Sequence, residues 1–264
     1  MIEKFVGLFV FVFGAIVGSF LNVCIVRMPK EESIVFPSSH CVHCRKQIPW
    51  YDNIPFVSYI ALGGRCRFCK EKISIRYFIV ELVTAGLFLW TYVYFGLTWK
   101  ILPYLVFISG LIIATFIDIE HKIIPDEISV GGIIVGLIFC LLIPELQKTS
   151  SYLLAFGRSL MGVLIGGGAI YAMGLLGDFI FKKESMGGGD VKLLAMIGAF
   201  MGWQSALLTF FIAPVFGGIV GIIVKIRTKE SVIPYGPFLA LGALICLFWS
   251  EPLITWILSG YGIY

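Results

Sequence analysis

Long apolar runs with few charged residues recur along this chain of 264 residues, and they limit it to one broad class of fold. A helix needs about 20 apolar residues to cross the ~30 Å hydrocarbon core of a bilayer. Eight segments are candidate spans, although the sixth is only about half a span long; they are residues 5–26, 77–95, 101–118, 127–144, 159–181, 191–201, 204–225 and 237–258. This pattern predicts an all-α polytopic membrane protein with about eight transmembrane helices.

The composition agrees with that class and excludes several others. Charged residues make up 14% of the chain and hydrophobic residues 59%, whereas soluble domains have roughly 25% and 45–50%. Together these values exclude a disordered chain, a coiled coil and a secreted disulfide scaffold. The apolar runs are continuous rather than alternating, which excludes an outer-membrane barrel. The lipid bilayer is therefore the expected environment, and no nucleic-acid partner is expected.

Basic residues are concentrated in the segment that follows the first apolar run. Nine of the 20 Lys and Arg residues lie between Arg27 and Arg76, together with four acidic residues. The positive-inside rule assigns this segment to the cytosol, and eight alternating crossings then bring 16 of the 20 basic residues to the cytosolic side. Both termini are expected outside. The first run lacks an Ala-x-Ala-like cleavage site, so we expect it to remain as a helix of the mature protein.

Two Cys-x-x-Cys pairs lie within the basic segment. Cys41 and Cys44 form the first pair, and Cys66 and Cys69 form the second after a gap of 21 residues. Four thiolates complete a tetrahedral Zn²⁺ site without an open position, which is typical of a structural metal. The segment is roughly 50 residues long and has few aliphatic side chains, so metal binding is expected to supply the folding free energy that a small core cannot.

These features divide the sequence into three parts. We expect a first transmembrane helix at residues 1–28, a cytosolic four-cysteine zinc module at 29–76 and a membrane-embedded domain at 77–264. His40 and His43 flank the first cysteine pair. Because four cysteines already complete a zinc site, both histidines are expected to be neighbours of the metal rather than ligands.

Two acidic residues border apolar runs at the predicted cytoplasmic membrane face. Asp118 ends the third run, and Asp190 follows three glycines at the start of the short sixth run. Carboxylates at a bilayer are costly and by default indicate a functional site. Two of them close together cannot both ionise, so one can act as a base and the other as an acid. The pattern therefore indicates an aspartic protease.

Structural roles remain open for these carboxylates on the sequence alone. Asp190 suits a helix N-cap, and Asp118 can pair with Lys122 one helical turn later. Asp126 is expected at the cap or first turn of the fourth run. Asp178, inside the fifth run, can line a transport cavity. A transporter with discontinuous helices and a noncatalytic zinc-bearing assembly scaffold are therefore the alternative functions.

Several motifs, in order along the chain, resemble those of the prepilin peptidases, the type IV leader peptidases with N-methyltransferase activity. Beside the four cysteines, the stretches that carry the resemblance are Gly18 to Asn22, Arg27 to Pro29, Asp52 to Pro55, Arg76 to Glu81, Phe116 to Asp126 and Gly187 to Lys192. The last stretch also resembles the Gly-x-Gly-Asp pattern of intramembrane aspartyl proteases. The resemblance covers nearly the whole chain.

The resemblance implies that Asp118 and Asp190 are the catalytic aspartates. It further implies cleavage of type IV prepilins and pseudopilins at the cytoplasmic face of the bacterial inner membrane, after a glycine and usually before a phenylalanine. Methylation of the new N terminus with S-adenosylmethionine would follow. The residues themselves mark no methyl-donor pocket, because no strand leads into a Gly-x-Gly-x-x-Gly turn. Gly166, Gly167 and Gly168 lie within an apolar run, where helix packing is the expected role.

Overall fold

The computed structural model describes residues 2–182, 186–228 and 233–260, and most of this part of the chain is helical. Its α-helices are α1 (Ile2–Arg27), α2 (Val57–Ala61), α3 (Ile75–Phe95), α4 (Ile101–His121), α5 (Asp126–Leu142), α6 (Tyr152–Phe181), α7 (Gly188–Thr228) and α8 (Gly236–Gly260). Short 3₁₀ helices cover Met28–Lys30, Trp50–Asn53 and Pro144–Gln147. The predicted all-α class is confirmed. Lys183 and Lys229, two of the basic residues expected in the cytosol, lie outside the described residues.

Six of the described helices are long and apolar enough to cross a membrane, which confirms the multi-pass class but not the exact count of eight. α5 is not among the six because its 17 residues extend only about 25 Å, less than the ~30 Å hydrocarbon core. α7 counts once, although its backbone leaves the helical conformation at Gly202, where φ is 79° and ψ is 171°.

α7 consists of two segments that fold back on each other at Gly202. A Cβ atom at Gly166 of α6 would lie 2.6 Å from the carbonyl oxygen of Leu194 and 3.3 Å from the Cβ of Ala206. A straight helix would instead hold Leu194 and Ala206 about 18 Å apart along its axis. The sequence predicts separate runs at residues 191–201 and 204–225, and the observed break lies between them.

Buried polar contacts satisfy the carbonyl groups that this break leaves without helical partners. The Gln147 side-chain amide donates hydrogen bonds to the carbonyl oxygens of Ala199 at 3.4 Å and Phe200 at 3.3 Å. The Ser159 hydroxyl donates to the same Ala199 oxygen at 2.6 Å. The Arg158 guanidinium, inside α6, donates to the Gln147 carbonyl oxygen at 2.8 Å. The end of the first α7 segment is therefore fixed by side chains from a 3₁₀ helix and from α6.

The chain forms two compact units, Met1–Ile113 and Ala114–Tyr264. In the first unit, glycines of α1 allow a close approach to α3: a Cβ atom at Gly14 would lie 2.8 Å from the Cα of Ala85, and one at Gly18 would lie 2.8 Å from the Cα of Glu81. Small residues at helix crossings are typical of packing within membranes, where apolar side chains gain little by leaving lipid.

In the second unit, α6 and the first segment of α7 approach closely through glycines. Gly162 and Gly198 face each other so tightly that a Cβ atom on either would meet the other's carbonyl oxygen. Gly166 lies against Leu194, as described above. A Cβ atom added at Gly167 would lie 3.3 Å from the Cβ of Ala195. The predicted packing role is therefore confirmed for Gly166 and Gly167 but not for Gly168, where an added Cβ would have no neighbour within 4 Å among the described residues.

Candidate active site

Asp118 lies in the last turn of α4 and is only 5% exposed. Its Oδ2 accepts a hydrogen bond of 2.8 Å from the backbone N–H of Gly236, the first residue of α8. Within the described ranges, no ion pair joins Asp118 to Lys122. The carboxylate is thus held by the start of a distant helix rather than by its neighbour in the sequence.

Asp190 lies in the first turn of α7, which begins at Gly188, so it does not occupy the cap position. Its backbone N–H donates to the carbonyl oxygen of Gly187 at 3.1 Å, and the residue is half-buried. The charge of Asp118 acts electrostatically on the Asp190 carboxylate. The two carboxylates, far apart in the sequence, are therefore close enough for their charges to interact.

Glycines keep the surroundings of the carboxylate pair compact. A Cβ atom at Gly236 would lie 2.8 Å from Asp118 Oδ2 and 3.3 Å from the Cδ1 of Ile124, in the linker between α4 and α5. A Cβ atom at Gly189 would lie 3.1 Å from the Cβ of the same isoleucine. Ile124 therefore packs against the starts of both α7 and α8. At Gly188, in contrast, no atom of the described residues lies within 4 Å of such an added Cβ.

Two other acidic residues that the sequence singles out, Asp126 and Asp178, lie at helix ends. Asp126 is the first residue of α5, as its predicted place in the first turn requires, and its carboxylate accepts hydrogen bonds of 2.6 and 2.8 Å from the Lys192 ammonium. Asp178 is exposed near the C-terminal end of α6. This exposed position does not support the predicted role of Asp178 in lining a transport cavity.

Sequence reasoning missed two residues beside the pair, Tyr235 and Gly236. The Tyr235 hydroxyl oxygen is buried, and burial together with the charge of Asp190 raises the pKa of this phenol to about 12. The available signal was the sequence from Pro234 to Pro237 immediately before the last apolar run, since proline and glycine at this spacing are typical of a turn that starts a helix.

The second candidate site is the group of four cysteines in the first unit. Their sulfur atoms all lie within 4.8 Å of one another, and the group can hold a metal ion; its members are Cys41, Cys44, Cys66 and Cys69. His43 is exposed, and His40 directs Nδ1 to the carbonyl oxygen of Ser38 at 3.1 Å. The described cluster therefore contains the four predicted ligands and neither histidine.

The two cysteine pairs have the same backbone geometry. The N–H of Cys41 donates to the carbonyl oxygen of Lys46 at 3.0 Å, and the N–H of Cys66 donates to that of Glu71 at 2.9 Å. Each pair is followed by a residue with left-handed backbone, namely Arg45 at φ 56° and Lys70 at φ 60°. The isolated bridges His40–Gln47 and Arg65–Lys72 close the two loops. The repeated turn directs both pairs of sulfurs to one point.

The thiols of the second pair differ in acidity. The backbone N–H groups of Cys69 and Phe68 lower the pKa of the Cys66 thiol to about 6, whereas burial and hydrogen bonds from the other thiols raise the pKa of the Cys69 thiol to about 11. Next to Cys66, Arg67 binds Asp52 through two hydrogen bonds of 2.7 Å. This contact lowers the pKa of the Asp52 carboxyl and ties the second cysteine loop to the Asp52–Pro55 segment.

These features define a multi-pass helical membrane protein with a carboxylate pair in one unit and a four-cysteine cluster in the other. The family model "Bacterial Peptidase A24 N-terminal domain" matches residues 12–95, and the model "Type IV leader peptidase family" matches residues 105–222. The chain therefore belongs to the type IV leader peptidase family, a family of membrane peptidases.

Three similar proteins are each named prepilin leader peptidase/N-methyltransferase. The Pseudomonas aeruginosa protein is 35% identical over 264 residues, which cover 90% of this chain and 88% of that protein. The Legionella pneumophila protein is 33% identical over 281 residues, covering 96% and 94%. The Myxococcus xanthus protein is 40% identical over 225 residues, covering 85% of this chain but 65% of that protein. No solved structure matches the chain significantly.

Proposed function

We propose that this protein removes the leader peptide of type IV prepilins or pseudopilins, with Asp118 and Asp190 as its catalytic pair. The main support is the proximity of the two residues: Asp118 accepts a hydrogen bond from the first residue of α8, and Asp190 lies in the first turn of α7. Ile124 packs against the starts of both helices, and the charges of the two carboxylates interact. Both residues lie within the region that matches the leader peptidase family model. The printed names of the similar proteins support the class of substrate.

The two carboxylates share one proton in this mechanism. The ionised one accepts a proton from water while the water oxygen bonds to the scissile carbonyl carbon, and the protonated one gives its proton to the carbonyl oxygen. In the second step the first carboxyl protonates the nitrogen of the scissile bond. The C–N bond breaks as the carbonyl re-forms, and the diol hydroxyl returns its proton to the second carboxylate in the same step. Either aspartate can take either role, because a coupled pair titrates as a unit.

We also propose that the pair lies at the cytoplasmic membrane face of the bacterial inner membrane, with both chain termini outside. Asp118 is at the end of one helix and Asp190 at the start of another, beside the basic residues Lys122 and Lys192. The positive-inside rule favours the cytosol for this side. No atom of the described residues lies within 4 Å of an added Cβ at Gly188, and we propose that an extended substrate lies there, with its apolar segment entering laterally from the bilayer.

For the four-cysteine cluster we propose a structural Zn²⁺ ion. A tetrahedral site with Zn–S bonds of about 2.3 Å has sulfur–sulfur separations of about 3.8 Å. The Cys41 and Cys69 sulfurs are 3.8 Å apart, so the residues present fit the ion. Cys41, Cys44, Cys66 and Cys69 would hold it. A closed shell of four thiolates stabilises the two loops and leaves no position for a substrate.

Methylation of the new N terminus is proposed from the names of the similar proteins. S-adenosylmethionine would supply the methyl group. A groove of about 440 Å³ beside α1 is large, but only Ser19 and Asn53 among its lining side chains are polar. Two such side chains are too few to hold the amino-acid and ribose groups of this donor, so the groove does not fit it. We assign no residue to donor binding.

The alternative functions have less support. In transporters with broken helices, the polar site lies where the helix is interrupted. Here the break at Gly202 is filled by the Gln147 amide and lies about 18 Å along the helix from Asp190. A noncatalytic scaffold does not require two carboxylates to meet in one site.

Cleavage of a purified prepilin in proteoliposomes tests the proposal. Asp118→Asn and Asp190→Asn, made separately, are each expected to lower the rate by at least roughly 10²-fold, because each removes an acid–base group. Asp178→Asn is the matched control and should cleave at the parental rate. Cleavage at the parental rate by either of the first two variants would show that the pair is not catalytic.

Methyl transfer is tested separately on a substrate that is already cleaved. Parent and both aspartate variants should transfer label from S-adenosylmethionine to its N terminus. Cleavage by the parent without any transfer would mean that this protein is a peptidase alone.

A further inference from the structure

A short segment of the cysteine module lies against α1, far from the end of that helix. The ring of Phe56 stacks on the ring of Phe11, with 6.0 Å between their centroids. Phe11 precedes Arg27, the last residue of α1, by a distance of about 24 Å along the helix. Residues 53–57 and α1 together line the groove of about 440 Å³ described above. The segment therefore runs beside α1 at a depth that lies within the hydrocarbon core when α1 spans the membrane.

Contacts with α3 fix this segment in place. The backbone N–H of Phe56 donates a hydrogen bond of 3.0 Å to the buried carboxylate of Glu81, and the Phe56 ring meets that of Phe78 at 5.5 Å between centroids. Phe56 has φ 62° and ψ −52°, and the N–H of Val57 donates to the carbonyl oxygen of Pro55 at 2.6 Å, which together define a γ-turn. Because this turn is rare and strained, it persists only where its surroundings hold it.

The backbone of the segment finds hydrogen-bond partners within the chain. Ser58 donates its N–H to the carbonyl oxygen of Ile54 at 3.1 Å, and its hydroxyl donates to that of Tyr51 at 2.9 Å. Ile60 donates its N–H to the carbonyl oxygen of Phe56 at 3.0 Å. Hydrocarbon offers no hydrogen bonds, so chain at membrane depth must satisfy its polar backbone groups internally. The N–H groups named here and in the γ-turn meet this condition.

The same segment carries a row of exposed apolar side chains. The exposed fractions are 41% for Ile54, 60% for Val57 and 68% for Ile60, at a spacing of three residues that places side chains on one side of a helical turn. Trp50 and Tyr51, which precede them, are 79% and 48% exposed. Tryptophan and tyrosine are enriched where a bilayer meets water. This order of side chains, aromatic and then aliphatic, is typical of chain that passes from the membrane surface into the hydrocarbon.

We propose that residues 50–61 enter the bilayer beside α1 and that an acyl chain of a membrane phospholipid occupies the groove. The groove has two polar lining side chains, so its walls match an acyl chain. On its α1 side, Val12 and Ile16 are 48% and 56% exposed, and they continue the apolar surface that a membrane-spanning helix presents to lipid. The four-cysteine module is thus partly inserted in the membrane, not wholly cytosolic as its charge led us to expect. The inference does not depend on the proposed peptidase activity.

Photo-crosslinking of the full chain in phospholipid vesicles tests this proposal. Benzoylphenylalanine is placed at Val57 or Ile54, and the vesicles contain phosphatidylethanolamine with an alkyne at the end of an acyl chain. We expect both positions to label with lipid as strongly as Phe9, an exposed position of α1. The matched control is Val42, which is 64% exposed in the first cysteine loop. It should label at least about tenfold less, because the acyl-chain ends lie within the hydrocarbon core.

A charged substitution provides a second measurement. Val57→Asp should lower the Tm in vesicles by at least about 5 °C, because a carboxylate within hydrocarbon is costly. Val42→Asp is the control and should leave the Tm within about 1 °C of the parent, since substitutions at a water-exposed surface change stability little. The same two valines thus give both readouts.

Lipid labelling at Val57 no stronger than at Val42 would overturn the proposal, and so would equal Tm values for Val57→Asp and Val42→Asp. A crosslink from Val57 to a second copy of the chain, seen as a doubled mass, would assign this surface to a dimer. A crosslink only to added prepilin would assign it to the substrate. Either result excludes lipid as the occupant, and the labelling decides the question even if Val57→Asp does not fold.

Discussion

The two candidate sites of this protein are assembled in opposite ways. The four-cysteine cluster is built from two copies of one short turn, with the same hydrogen bonds and the same left-handed residue after each pair. The aspartate site has no local repeat, because its parts lie at the end of α4 and at the starts of α7 and α8. Local turns with a metal can form a site where little core exists, whereas distant carboxylates require a packed helical frame.

The largest expected effect breaks only the cysteine side of this comparison. Cys41→Ser combined with Cys44→Ser should reduce the metal content from about one equivalent to none, since two of four ligands are lost. Metal analysis of purified protein measures this. His43→Ala is the control and should keep its metal, because this exposed histidine lies outside the cluster. A full equivalent of metal in the double variant would contradict the assignment.

The next largest effect is expected from disrupting the packing of α6 against α7. Gly198→Val should destabilise the second unit by about 1–3 kcal/mol or more, because the new side chain meets the backbone of Gly162. A lower Tm with unchanged metal content is the expected result. Gly168→Val is the matched control, since an added Cβ there has no neighbour within 4 Å in the described part of the chain. Equal Tm values for the two variants would disprove the close contact of α6 with α7.

A smaller change sharpens the comparison within the aspartate site. Gly236→Ala adds a Cβ atom 2.8 Å from Asp118 Oδ2, so the carboxylate must move. We expect cleavage to slow about tenfold while Tm changes little, because a displacement near 1 Å already impairs catalytic geometry. Gly131→Ala, in open space on α5, is the control in the same kinetic assay. Parental kinetics for Gly236→Ala would argue against a fixed Asp118.

The smallest effect concerns pH and the second cysteine loop. Arg67 lowers the pKa of the Asp52 carboxyl in the folded protein. The contact therefore adds stability above the ordinary pKa of about 3.9, and this contribution is lost as the pH falls through the lower pKa of the folded state. Asp52→Asn should remove that part of the pH dependence, measured as Tm between pH 7 and 3. Since Arg67 is half exposed, the shift in Tm should be small; a curve for Asp52→Asn that retains the parental pH dependence would be inconsistent with this role.

Features formed by residues close together in the sequence could be predicted, whereas contacts between helices far apart in the sequence could not. The four cysteines are recognisable by spacing because each pair belongs to a single turn. The break at Gly202 is visible as a gap between two apolar runs. α6, however, begins at Tyr152 rather than at residue 159. The charged Arg158 can lie within this helix because its guanidinium donates a hydrogen bond to the carbonyl oxygen of Gln147.

The parts of the aspartate site differ in the same way. Asp118 and Asp190 stand out because a carboxylate beside an apolar run is unusual. Tyr235 is an ordinary aromatic residue in an apolar chain, and Gly236 contributes only its backbone. Their importance follows from packing between α4, α7 and α8, which the pattern of a single segment does not contain.

The Gln147 amide at the break in α7 has a mechanical consequence for Asp190. The helix between Gly202 and Asp190 is a stiff rod about 18 Å long. If its far end lost the hydrogen bonds of Gln147 and the rod tilted by only about 3°, Asp190 would move by about 1 Å, a displacement that can cost roughly 10²-fold in rate. The Gln147 amide, which takes no part in the proposed chemistry, thus helps to hold the Asp190 carboxylate in position from the other end of the helix.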